Sequence, residues 1–315
     1  MILRAGLVAV FVFAPLSGAS LGKVTESAEA CPAGPAPRTS CRQVVVSCPG
    51  LKDLRAQIRF TAPAPGKPLR GTVVLGSGGN GGTFYAAAPP VVGLVRELSD
   101  MGFLVVDRSW EGGWVTNEGG LKQEACRYAT LLTWIHDTAH RGGKFVATGN
   151  SGGSAEIGYA LTTYGRAAIL DAAIPTSGPP TARLDYTCAA APSAEWSALC
   201  SKLIPAGAIA CTPGCMLGPG NNVCRQAGPG MTEAQLRADS VAHAEAALEY
   251  PKTPVYFLFG ADDCGEPVPA GLAYASQIRS EKHVEFVPHT PHALMSTPEG
   301  RDAIKKAIDA ATLPR

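Results

Sequence analysis

The chain reads as an α/β protein whose mostly parallel central sheet is covered by helices on both faces. Short β-branched apolar runs alternate with stretches of helical periodicity from about residue 55 to the C-terminus. Several of these runs open into loops rich in glycine, as buried parallel strands do at the rim where such sheets hold ligands. With 315 residues, 46% of them hydrophobic and 17% charged, the chain can bury a large core.

The elements follow in order. Arg4 and the apolar stretch "AGLVAVFVFAPL", too short to span a bilayer, read as a signal peptide within residues 1–30. Cleavage is expected after Ala19 ("SGA") or after Ala30 ("AEA"). The second site would leave Cys31 first, but "AEAC" lacks the leucine of a lipoprotein signal. No later segment reaches transmembrane length, so the expectation is an exported protein, extracellular or periplasmic, without a stable membrane anchor. Residues 31–315 are expected to form one domain.

Residues 31–50, rich in Cys and Pro, read as an irregular, stapled lead-in. "AQIRFTAP" alternates as a half-exposed strand does, and "GTVVLG" is a buried strand that opens into "GSGGNGG". "VVGLVRELSDMG" has helical periodicity with a glycine stop, and "FLVVDR" is the next buried strand. "LKQEACRYATLLTWIHDTAHRGG" reads as one long amphipathic helix, and Trp134 within its stripe as core. Then come the strand "KFVATG", the helix "SAEIGYALTTYG" and the strand "AAILDAAIPTSGPP".

An insertion over about 179–250 follows, irregular to about 231 and expected to form a cap at one edge of the sheet. It ends in a predicted helix, "TEAQLRADSVAHAEAALEY", opened by a capping box of Thr232 and Gln235. The strand "TPVYFLFG", a helix near 267–280 and the strand "HVEFVP" come next. The last helix, "TPEGRDAIKKAIDAA", has Thr297 as N-cap and Pro298 in its first turn.

The formal net charge of +1 and the absence of a polybasic run exclude a nucleic-acid footprint. All ten cysteines lie beyond the apolar leader, and an even number in an exported chain reads as disulfides. Zinc is the rival, yet no CxxC pair or nearby histidine completes a tetrahedral set. The cysteines fall in odd groups, so some bridges must join regions far apart in sequence.

"GNSGG" at 149–153 is the chemical focus. Trypsin-like proteases carry a similar Gly-Asp-Ser-Gly-Gly loop, but they are all-β and place their histidine far upstream, whereas His140 lies 11 positions before Ser151 on a predicted helix. A phosphate-cradling turn is the weaker rival, for neither Gly-x-x-x-x-Gly-Lys-Ser/Thr nor Gly-x-Gly-x-x-Gly is present. A strand, a sharp turn and a helix around Ser151 instead give the context of a nucleophile elbow, and Gly149 and Gly153 supply the small neighbours it needs. The helix N-terminus beyond adds partial positive charge and the N–H of Gly152.

From about residue 55 onward the chain resembles the α/β-hydrolase superfamily, with the remaining parts in the order Ser, acid, His. In "ADDCGEPVP" the resemblance puts Asp263 in the acid position, with Asp262 as the alternative. In "VPHTPHALMSTPEG" His292 fits the loop spacing better than His289. The second oxyanion donor is expected after "GTVVL", where the superfamily often has His-Gly and this chain has Gly76-Ser77. By position Gly78 is favoured over Ser77 or Gly79. Tyr85, and Trp110 and Trp114 of "DRSWEGGW", either wall a substrate pocket or simply pack. His136, His140 and His243 fall on predicted helices and His283 at a strand start, positions with no catalytic role.

The resemblance implies a secreted serine hydrolase of small-molecule or polymeric esters, forming an acyl-enzyme without metal or organic cofactor. A peptidase or amidase of the same fold is one alternative, and a non-catalytic binding protein is another.

Overall fold

The computed structural model describes residues 19–28, 31, 34, 37–87, 89–189, 194, 198, 202, 222–228, 230–263, 265 and 267–312. Nine strands among these form one sheet: β1 (Lys23–Glu26), β2 (Thr39–Ser47), β3 (Leu54–Thr61), β4 (Gly71–Gly76), β5 (Phe103–Trp110), β6 (Lys144–Asn150), β7 (Ala172–Thr176), β8 (Val255–Gly260) and β9 (Lys282–Val287). Their spatial order is β1-β2-β3-β5-β4-β6-β7-β8-β9. The first three strands and the β3–β5 pair are antiparallel, and every later pair is parallel. The expected mostly parallel sheet is therefore present, with an antiparallel extension at its N-terminal side.

Nine helices accompany it among the described residues: α1 (Pro89–Asp100), α2 (Leu121–Glu124), α3 (Cys126–Thr138), α4 (Gly152–Thr162), α5 (Leu184–Thr187), α6 (Asn222–Ala227), α7 (Glu233–Asp239), α8 (Pro267–Gln277) and α9 (Pro298–Thr312). In α1, Val91, Leu94, Val95 and Leu98 recur on one face and are buried. In α9 the buried face is Gly300, Ala303, Ile304, Ala307, Ile308 and Ala311. These two helices cover one side of the sheet, where Val73, Leu75, Val105 and Ile174 complete a core. On the other side α3, α4 and α8 pack in a larger core with Val74, Val106, Phe257 and Phe259. Each fully buried side chain of this size contributes roughly 1.5–3 kcal/mol. Helix α4 is buried all round, and its mostly small and apolar sequence carries one charge, Glu156.

Two expectations are corrected. Residues 39–47 are a strand, not an irregular lead-in: "TSCRQVVVS" alternates, and Val44 and Val46 are fully buried. Residues 23–26, which lie between the two expected cleavage sites, form β1 and pair with Val44–Ser47. The helix from Thr232 keeps its capping box but ends at Asp239, and Ser240 is extended. The N–H groups of Val241 and Ala242 donate to Thr181 and Ala182 instead of continuing the helix. A smaller change affects the long helix after Gly120, which is interrupted at Ala125 into α2 and α3.

Disulfides join Cys31–Cys41, Cys48–Cys126 and Cys188–Cys224. The second joins residues 78 apart, as the odd grouping demanded. Cys200, Cys211, Cys215 and Cys264 lie outside the described residues, as does most of the cap's middle. No helix among the described residues is long and apolar enough to cross a membrane.

Candidate active site

The parallel strands β6, β8 and β9 deliver their C-terminal ends to one rim, and the loops beyond them carry Ser151, Asp263 and His292. Ser151 sits between β6 and α4 at φ 52° and ψ −111°, a conformation a non-glycine residue holds only under enforcement. Its N–H donates to Thr176 O of the neighbouring β7 at 2.9 Å, which anchors the turn. The flanking glycines are sterically required. A Cβ on Gly149 would lie 2.7 Å from the Gly153 backbone, and one on Gly153 would lie 2.4 Å from Gly76 O.

His292 and Asp263 are joined. Nδ1 of His292 lies 2.9 Å from Oδ2 of Asp263, with the Asp263 side chain buried and that of His292 42% exposed. A carboxylate in this position fixes the imidazole's tautomer and turns Nε2 outward. The alternatives point elsewhere. Asp262 and His289 are both exposed, and His289 occupies a left-handed turn at φ 52°. His140, the histidine of the discarded protease reading, bonds Thr72 at the start of β4, the far end of the sheet.

The loop after β4 lies against the elbow. A Cβ on Gly78 would be 3.5 Å from Ser151 Cβ, and one on Gly152 would be 1.7 Å from Gly79 O. Gly78 O accepts from Gly81 N–H at 3.2 Å, and Gly81 O accepts from Trp110 N–H at 2.9 Å. Ser77 Oγ is turned inward to Thr83 O at 2.5 Å.

The three expected pocket residues are core residues. Tyr85, Trp110 and Trp114 are 3%, 1% and 2% exposed. Trp110 backs a cleft of about 390 Å³ with Gln43, Gln57, Gly82, Ser109 and Glu111, but its ring is spent on packing. Both tryptophans are buried in the larger core, as the packing reading requires.

Sequence reasoning missed the charged groups behind the loop. Asp107 accepts the N–H groups of Tyr85 and Ala86 at 2.8 and 3.0 Å. Burial pushes its carboxyl up to about 6, against those two donors and the charges of Arg108 and Arg59. Arg108, on the opposite face of β5, forms an ion pair with Glu156 of α4 in which both side chains are fully buried. Burial lowers the Arg108 guanidinium to about 10. A signal was available: "DR" interrupts an apolar strand, and Glu156 is the lone charge in an apolar helix.

No known family model matches the chain, and no curated protein is similar to it in sequence. Solved structures are similar in shape. One is EstE5, at 16% identity and a TM-score of 0.53, covering 90% of this chain and 86% of that one. Another is Est1E from Butyrivibrio proteoclasticus with ferulic acid bound, at 14% identity and 0.51, covering 84% and 96%. A third is an α/β serine hydrolase without lid from Xanthomonas campestris, at 11% and 0.50, covering 90% and 100%.

Proposed function

Because the chain has the α/β-hydrolase fold, we propose that it is an exported serine hydrolase of carboxylic esters, with Ser151, His292 and Asp263 as its triad. The observation that carries this reading is the bond between buried Asp263 and His292 on the rim that also bears a left-handed Ser151. Likeness in shape to an α/β serine hydrolase and to Est1E with ferulic acid bound supports hydrolysis at a serine as the reaction class. The three disulfides fit the oxidising compartment that export would reach.

In this mechanism Ser151 Oγ attacks the ester carbonyl as His292 Nε2 takes its proton. Asp263 holds the ring and stabilises the imidazolium. The backbone N–H groups of Gly152 and Gly78 receive the oxyanion, aided by the N-terminus of α4. His292 then protonates the departing alcohol, and water attacks the acyl-enzyme by the same route.

Labelling with a fluorophosphonate and turnover of p-nitrophenyl esters of rising chain length, beside peptide substrates, test the reading. Ser151→Ala should fold normally and lose nearly all ester turnover and labelling. Retention of more than a few per cent by that variant would remove Ser151 from the mechanism.

A further inference from the structure

We infer that the Arg108–Glu156 pair is a positioning device: it fixes the loop bearing Gly78 against the helix N-terminus bearing Gly152. This rests on the ester-hydrolase reading of the same site. The two proposed oxyanion donors belong to different elements, a loop after β4 and the first turn of α4. Their separation must be held to a fraction of an ångström for both to meet one oxygen.

A continuous chain of contacts does this. Glu156 lies one turn into α4 and accepts from Trp110 Nε1 at 2.8 Å, while its carboxylate also pairs with Arg108. Arg108 Nη1 approaches Gly81 O at 3.5 Å, and the backbone N–H of Trp110 donates to that same oxygen at 2.9 Å. Gly81 N–H in turn donates to Gly78 O. Arg108 also packs against the loop directly: a Cβ on Gly76 or Gly81 would lie 3.1 or 2.6 Å from its guanidinium nitrogens. Arg108 and Trp110 therefore bridge α4 to the loop from one strand, β5.

Burying both charges completely is a costly way to stabilise a fold, and an apolar pair of similar volume often serves as well or better. What apolar side chains cannot supply is a directed contact to Gly81 O and Trp110 Nε1 at once. Lysine cannot supply it either, because its compact ammonium lacks the planar fork of arginine.

The test uses the full-length enzyme and two variants, Arg108→Met/Glu156→Leu and Arg108→Lys. Melting temperature, kcat and KM on a p-nitrophenyl ester, and the rate of fluorophosphonate labelling at Ser151 are measured on each. The double variant should melt near the wild type, lose 10- to 100-fold in kcat and label correspondingly slowly, with KM changed less than about 3-fold. Arg108→Lys should fold and show a kcat loss of the same kind. Wild-type kcat in either folded variant overturns the inference, as does lost activity explained wholly by lost folded protein. A wild-type enzyme that turns over no ester overturns the function proposal and this inference together. An active wild type with unaffected variants overturns this inference alone.

Discussion

Ser151 holds a left-handed conformation that costs about 1–3 kcal/mol unless its surroundings enforce it. Enforcement comes from Thr176 O, which takes its N–H, and from glycines too close to their neighbours to carry a methyl group. At His292 the same logic gives a sharp contrast. His292→Ala should abolish ester turnover as fully as Ser151→Ala, while His289→Ala, at an exposed turn, should cost less than about 3-fold. The reverse ranking in kcat would move the base to His289. Asp107 adds a pH effect on stability. Its folded pKa of about 6 lies above its ordinary 3.8, so its favourable contribution is complete below the ordinary value and is lost as pH rises through about 6. That interval is worth roughly 3 kcal/mol. Urea unfolding from pH 3.5 to 7.5 should show wild type losing about that much relative to Asp107→Asn. Parallel curves for the two proteins would show that Asp107 titrates normally.

At the scale of elements, β1 bears on where the proposed leader would be removed. Lys23–Glu26 pair with β2, and Gly22 N–H donates to Thr130 Oγ1 at 2.8 Å. Processing after Ala30 would strip this strand and leave β2 as an exposed edge, which sheets pay to avoid. If the proposed export holds, N-terminal sequencing of the mature protein should therefore begin at Ser20. A product beginning at Cys31 would mean that β1 is absent from the mature fold. The shortened α7 makes a related point. Its periodic sequence continues past Asp239, yet Asp239 caps the N–H groups of Leu121 and Lys122 and the chain beyond bonds to Thr181 and Ala182. Tertiary hydrogen bonds outcompete local propensity there.

Across the whole molecule, Cys48–Cys126 ties the antiparallel extension to α3 over 78 residues of chain. Removing it by Cys48→Ala with Cys126→Ala should lower stability by roughly 2–5 kcal/mol, the usual range for a bridge that restrains the unfolded chain. Denaturation of the double variant checks this, and thiol counting under denaturing, non-reducing conditions checks the bridges themselves. Ten free thiols in the purified protein would overturn both the pairing and the export proposal. Cys264 lies outside the described residues, and because Cys126 is joined to Cys48, a bridge from Cys264 would have to end at another cysteine.

Much of what depended on neighbours in the chain was legible in the sequence, the alternation of β2 excepted. The β-branched runs that became β4, β6 and β8, the glycines beside Ser151, the Thr232 capping box and the spacing that favoured His292 over His289 all act within a few residues. Their physics is steric and local, so residue order alone expressed it. What joined distant segments was decided only on folding. The pairing of β1 with β2, the burial of Trp110 and Trp114, and the meeting of Arg108 with Glu156 across 48 positions depend on which faces the sheet brings together. A buried charge can be read from a sequence as an anomaly, but its partner is chosen by the tertiary structure, because desolvation makes an unpaired charge intolerable only once the core has closed around it.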